Sequence, residues 1–190
     1  LPHPQNGQAI SLVERQSLML RERIKSLESR ITEMIRHGQE NEAIVANLIA
    51  WARQLLLTED TAALPGTVVT ALKEVFSVPH CALRLWSVKP QYAALPCAAS
   101  VEADTVTLAN SMRVPFCGSN VGFEAATWFE DGAAVQSLAM LPLRVGADPK
   151  TFGLLVLGSA DKDRFHITMG TAFLERIAEL ASAALARMRA

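Results

Sequence analysis

The sequence predicts an α+β protein in which an antiparallel sheet is flanked by helices and preceded by one long helix. Three observations predict it. Apolar residues recur at heptad spacing early in the chain, two apolar runs of strand length flank the turn GADPK, and the C-terminal segment carries an apolar stripe at helical spacing.

Residues 1–11 read as an extended arm, because Pro2, Pro4 and Gly7 interrupt regular structure. Ser11 offers an N-cap with Glu14 at capping-box spacing, which opens a helix expected over 12–57. Along it Leu20, Leu27, Met34, Asn41, Leu48 and Leu55 recur every seventh residue. Ile24, Ile31, Gly38, Val45 and Ala52 interleave with them at spacings of three and four. β-Branched residues at one seam position and Leu at the other favour a parallel two-stranded coil. Arg23 and Glu28, at g and the following e, have the opposite signs that pair between chains. A homodimer interface is therefore expected at Leu20, Ile24, Leu27, Ile31, Met34, Val45 and Leu48. The competing reading is an amphipathic helix packed on its own domain. Gly38 and Asn41 interrupt the seam, which leaves open a hinge, a local break or a register-fixing Asn.

Residues 58–190 read as one α+β domain. After the link TEDTAA, a helix at 64–77 presents Leu64, Val68, Leu72, Val75 and Phe76, accepts Pro65 in its first turn and stops at Pro79. CALRLWSV at 81–88 is rich in strand formers. EADTVTLANSM at 102–112 suits a short helix, VPFCGSNVG at 114–122 a turn-rich connection, and FEAATWF at 123–129 a single helical stretch. QSLAMLPLRV at 136–145 and FGLLVLGS at 152–159 suit an antiparallel hairpin covered on both faces. Thr168 caps a last helix to Met188, with Met169, Phe173, Ile177, Leu180, Ala184 and Met188 as its stripe. The terminal helices are expected together on one sheet face.

Composition narrows the function. Half of the residues are hydrophobic, and 18 Lys and Arg face 19 Asp and Glu for a formal net charge of −1. Nucleic acid is therefore not expected as a partner, although Arg15, Arg21, Arg23, Lys25, Arg30 and Arg36 give 14–36 a local basic lean. No apolar run reaches the length that spans a bilayer, so no membrane partner is expected. Three cysteines without tight spacing suit a reducing compartment, and the cytoplasm is the expected location. His3, His37, His80 and His166 show no metal-ligand spacing, and His80 and Cys81 fall on opposite faces of a strand, so no metal site is expected. Neither GxxxxGK[ST] nor GxGxxG occurs, and no cofactor is expected. GSNVG at 118–122 is an anion cradle or simply a turn. No GxSxG occurs either, so no catalytic residue is assigned.

Two stretches carry a family resemblance: SLVERQSLMLRERIKSLESRI at 11–31 and LVLGSADKDRFHITMGTAFLERIAEL at 155–180. They resemble the DUF484 family of bacterial proteins, which has a GAF-like domain after a helix and no established biochemical function. The match is most specific at residues 11–16, at Gly158, Ser159, Asp161, Arg164 and Phe165, and at Met169, Gly170 and Thr171. Cys117-Gly118 matches the family's Cys-Gly. In physical terms Gly158 permits close backbone approach, Asp161 shapes the turn, Arg164 pairs with Asp161 or Asp163, and Phe165 plugs the helix onto the sheet.

The resemblance implies a ligand pocket between a sheet face and the middle segment, with candidates Phe116, Cys117, Phe129, Ser137, Ala139 and Arg144. Arg144 would meet an anionic group or sit in water at the rim. The signature of cyclic-nucleotide GAF domains is absent. The expected function is a non-catalytic, homodimeric sensory or regulatory protein with a possible small-molecule ligand and a protein partner that carries its output. The alternatives are a protein-interaction scaffold without ligand, and a thiol redox enzyme using Cys97 and Cys117, since some GAF-fold proteins reduce free methionine sulfoxide.

Overall fold

A computed structural model describes residues 12–166 and 171–190. The expected arm, the cap at Ser11, and Thr168, Met169 and Gly170 lie outside the described residues. Helix α1 runs over Leu12–Leu57, long enough for about thirteen turns at 3.6 residues each. Neither Gly38 nor Asn41 breaks it. The chain divides into two units, the helix through Val45 and a compact unit Ala46–Ala190. Within the compact unit, Trp51 and Leu55 of the last turns of α1 are buried and Leu48 is half-buried against the same core. The Trp51 indole Nε1–H donates to Val68 O at 3.3 Å.

Helix α2, Leu64–Phe76, buries Leu64, Val68, Ala71 and Leu72. Ser77 ends it in the left-handed region (φ 52°), with its N–H returned to Lys73 O. Strand β1 is His80–Leu85, helix α3 is Ala103–Ser111 and strand β2 is Phe116–Ser119. Strands β3, Ser137–Leu143, and β4, Gly153–Ser159, form the expected hairpin, and every residue in both is buried. Its turn places Gly146 at φ 57° and lets Asp148 Oδ1 accept the Lys150 N–H at 2.9 Å. Helix α4, Ala172–Leu185, passes into a 3-10 turn at Ala186–Met188.

The sheet is antiparallel in the order β1-β4-β3-β2, which buries the hairpin strands and leaves β1 and β2 as edges. Pro142 is tolerated in a central strand because β2 pairs β3 only from Ser137 to Met140, so beyond it one side of β3 has no partner. Alternation sends Leu83, Leu85, Ala139, Leu141, Leu143, Leu155 and Leu157 to one face, under α2, α4 and the end of α1. Terminal helices thus share a face, as the sequence predicts. The opposite face carries Ala82, Leu138, Met140, Leu154 and Val156 under α3 and the segment 123–135.

One expectation for the middle segment is corrected. The turn-rich stretch 114–122 contains a strand, because pairing with β3 holds Phe116–Ser119 extended despite its turn formers. The single helical stretch expected over 123–129 is present as the 3-10 helix Glu124–Trp128.

Candidate functional site

The sheet face beneath α3 is packed with buried side chains. Phe129 lies there 7% exposed beside Met140 and Val135, and Phe116 meets Phe123 edge to face with centroids 5.6 Å apart. Gly158 has the close approach its sequence suggests, since a Cβ there would stand 2.8 Å from the Phe129 ring.

The six expected ligand residues do not share a cavity. Cys117, Ser137 and Ala139 point to the face of the terminal helices. Phe116 and Phe129 lie on the opposite face. Ser137 acts within the fold: its Oγ donates to Asp161 O at 2.5 Å and accepts the Phe165 N–H at 3.4 Å. Asp161 Oδ1 in turn accepts the Asp163 N–H at 2.9 Å, the turn-shaping role its position suggests. Phe165 is buried in the core. Arg164 pairs with neither aspartate; its Nη2 donates to Phe76 O and Ser77 O, the orphan carbonyls at the end of α2.

Arg144 Nη2 donates to Ala109 O at 3.2 Å and Met112 O at 2.6 Å, the carbonyls that end α3. Its backbone N–H is taken by Ser182 Oγ, and its buried Nε has no partner among the described residues. Burial, helped by the charge of Arg113 and opposed by Asp148, pulls its pKa below the usual arginine range. Arg144 borders a second hollow of about 480 Å³ beside α4. GSNVG gives no amide cradle: Asn120 N–H goes to Gln136 O, and Asn120 Oδ1 takes the Gly122 N–H.

The expected thiol pair, Cys97 and Cys117, is also apart. Cys81, Leu157, Ala139 and Cys117 form one row across the sheet, which puts Cys117 three strands from β1, about 14 Å at the usual strand spacing. Cys97 belongs to the β1 side, so Cys97 and Cys117 are not neighbours. Burial pushes the Cys81 thiol up to about 12 against the pull of Lys73. Burial likewise raises Cys97, against its own backbone hydrogen bond and Arg84, and Cys117.

The larger hollow, about 510 Å³, runs along the open edge of β1. Pro65, Val69 and Lys73 of α2 form one wall, Leu95–Cys97 a second, and Trp128–Glu130 a third. Of the expected residues, only Phe129 reaches it. His80 tilts against that ring at 5.7 Å while Cys81 packs toward the other core, the opposite-face placement the sequence predicts.

Arg84 organises the edge. Trp86 N–H donates to Phe152 O at 2.8 Å, which sets even-numbered β1 residues toward β4 and turns the Leu83 carbonyl outward. Arg84 Nη1 donates to that carbonyl at 3.3 Å and to Pro96 O at 3.2 Å, and its guanidinium stands 5.5 Å from the Trp128 ring centroid. Its Nε and Nη2 make no hydrogen bond among the described residues. Sequence reasoning missed Arg84 and Trp128; a lone cation in a strand and a Trp in the middle segment are the signals they leave. Among the described residues no group of three or more His, Cys, Asp or Glu is placed to hold a metal. No described helix is long and apolar enough to cross a membrane.

No curated protein matches the chain. Solved structures do. The GAF domain of a candidate sensor histidine kinase from Pseudomonas syringae pv. tomato aligns with a TM-score of 0.51 and 20% identity, covering 80% of this chain and 91% of that one. The GAF domain of an Acinetobacter phosphoenolpyruvate-protein phosphotransferase aligns with a TM-score of 0.55 and 13% identity, covering 75% and 92%. These likenesses establish a GAF-like fold. The family model described as "Protein of unknown function, DUF484" matches residues 1–189, nearly the whole chain, and the chain therefore belongs to the DUF484 family.

Proposed function

We propose that this chain is a non-catalytic regulatory protein of the GAF type that works as a parallel homodimer through α1 and receives a small-molecule signal in its α/β domain. The observation that carries the dimer is an apolar stripe left in water. Leu20, Ile24, Leu27, Ile31, Met34 and Val45 are between 49% and 72% exposed, at the spacing of a coiled-coil seam. Leu48 contributes partly to its own core, so the seam proposed for the partner ends near Val45. A regulatory role is supported by the likeness to GAF domains. A non-catalytic one is supported by thiols that are protonated near neutral pH and set apart. A reducing cytoplasm suits the three unpaired cysteines. The scaffold reading draws support from the filled sheet face, and a protein partner would carry the output in either case.

Light scattering on the purified chain tests the dimer. The expected mass is twice that of one chain, and the double substitution Leu27→Lys and Ile31→Lys should give a monomer whose domain still melts cooperatively. A wild-type monomer at micromolar concentration, or a dimer that survives both lysines, would overturn this reading.

A further inference from the structure

The geometry points to the groove on the open edge of β1 as a binding site for a small organic carboxylate with an apolar or aromatic body. The assignment deepens the regulatory reading above and rests on it. Size comes first: about 510 Å³ is the range of metabolite pockets and too small for a folded partner. Its lining is mixed in the way such a ligand needs. Val69, Pro65, Leu95 and Trp128 supply apolar and aromatic surface, while Lys73 and Arg84 supply two basic side chains against the single carboxylate of Glu130.

Arg84 is the specific element. Anchoring Nη1 on two carbonyls and holding the cation over the Trp128 ring fixes the guanidinium before anything binds, so little side-chain entropy remains to be lost. Nε and Nη2, the two donors on one side of the fork, remain for a carboxylate, whose two oxygens match that spacing. Trp128 beneath the guanidinium gives an apolar body a flat surface beside the charge. Addition of a peptide strand to β1 is disfavoured by the same contacts. The outward carbonyl of Leu83 is already taken by Arg84, and the 3-10 turn Pro96–Ala98 lies against the edge.

The test is a titration of the full-length ¹⁵N-labelled chain followed at the tryptophan indole N–H signals. Those of Trp51 and Trp86 are tied to the Val68 and Thr151 carbonyls, while that of Trp128 has no acceptor among the described residues. Trp128→Phe assigns its signal. Titration with 2-naphthoate should shift the Trp128 signal saturably, and either Arg84→Gln or replacement of the probe by neutral 2-naphthalenemethanol should weaken binding at least tenfold. Because the second comparison uses the wild-type protein, it stands even if the variant folds poorly. The assignment is overturned if 2-naphthoate, phenylacetate and decanoate all leave the signal unmoved at millimolar concentration. It is equally overturned if affinity ignores both the carboxylate and Arg84. A negative titration on a protein that light scattering shows to be dimeric removes this site and leaves the dimer standing; a monomer that binds 2-naphthoate does the reverse.

Discussion

Arg144 Nη2 serves two carbonyls at the end of α3, and replacing the residue by methionine strips both of their donor. Half-buried carbonyls without a donor cost about 1–3 kcal/mol. Urea denaturation of Arg144→Met should show a loss of that order, with faster hydrogen exchange in the last turn of α3; an unchanged midpoint would dismiss the capping role. Cys81 gives a pH-dependent counterpart. Unfolded, its thiol loses a proton near the ordinary 9.0, whereas burial holds the proton to about 12 in the fold. Between those values the unfolded chain binds fewer protons, so stability falls as pH rises, by at most about 1.4 kcal/mol per unit from this group. The drop in denaturation midpoint between pH 8 and pH 10 should be smaller for Cys81→Ala than for the wild type. Parallel curves would show that the thiol is not held protonated.

At the scale of elements, the end of α1 decides whether the compact unit holds together. Trp51 is fully buried, and truncating it to Ala should cost about 3–5 kcal/mol, read from chemical denaturation. A much smaller loss would mean that the last turns of α1 are dispensable to the domain. The heptad pattern revealed the helix but not what covers it: Leu55 continues the series and is buried in the chain's own core. Seven-residue spacing defines a face, and an intramolecular core and a partner helix satisfy it equally. The hairpin was legible because both its strands are apolar throughout and flank a turn. Strand β2 was not, because Gly118, Ser119 and Asn120 read as a turn, and the extended form is imposed by pairing with β3, which lies outside any local window. The start of α4 falls beside residues 167–170, outside the described part of the chain.

For the whole molecule, fold class and family were readable from the residues, and the candidate groove was not. The groove is assembled from α2, β1, the turn at Pro96–Ala98 and the end of the 3-10 helix Glu124–Trp128. No spacing along the chain announces that Arg84 and Trp128 will meet. Only Phe129 among the expected residues lines the groove, and it does so from the rim of a face it otherwise fills. The alternative thiol pair was illegible for the same reason, since Cys117 lies in β2 while Cys97 lies in the 3-10 turn beside β1, at the other edge of the sheet.

The strand order has a consequence for synthesis. β1 is made before the other described strands, yet among the described residues it is β4, the last of the four, that pairs with it. Until the hairpin has emerged, Leu83 and Leu85 have no sheet to join, while all of α1 is already outside. Assembly of the nascent chain therefore has a fixed order available to it. In the proposed dimer, helices of neighbouring chains would have time to meet before either sheet closes, and the slow, non-local step of inserting β4 beside β1 comes last.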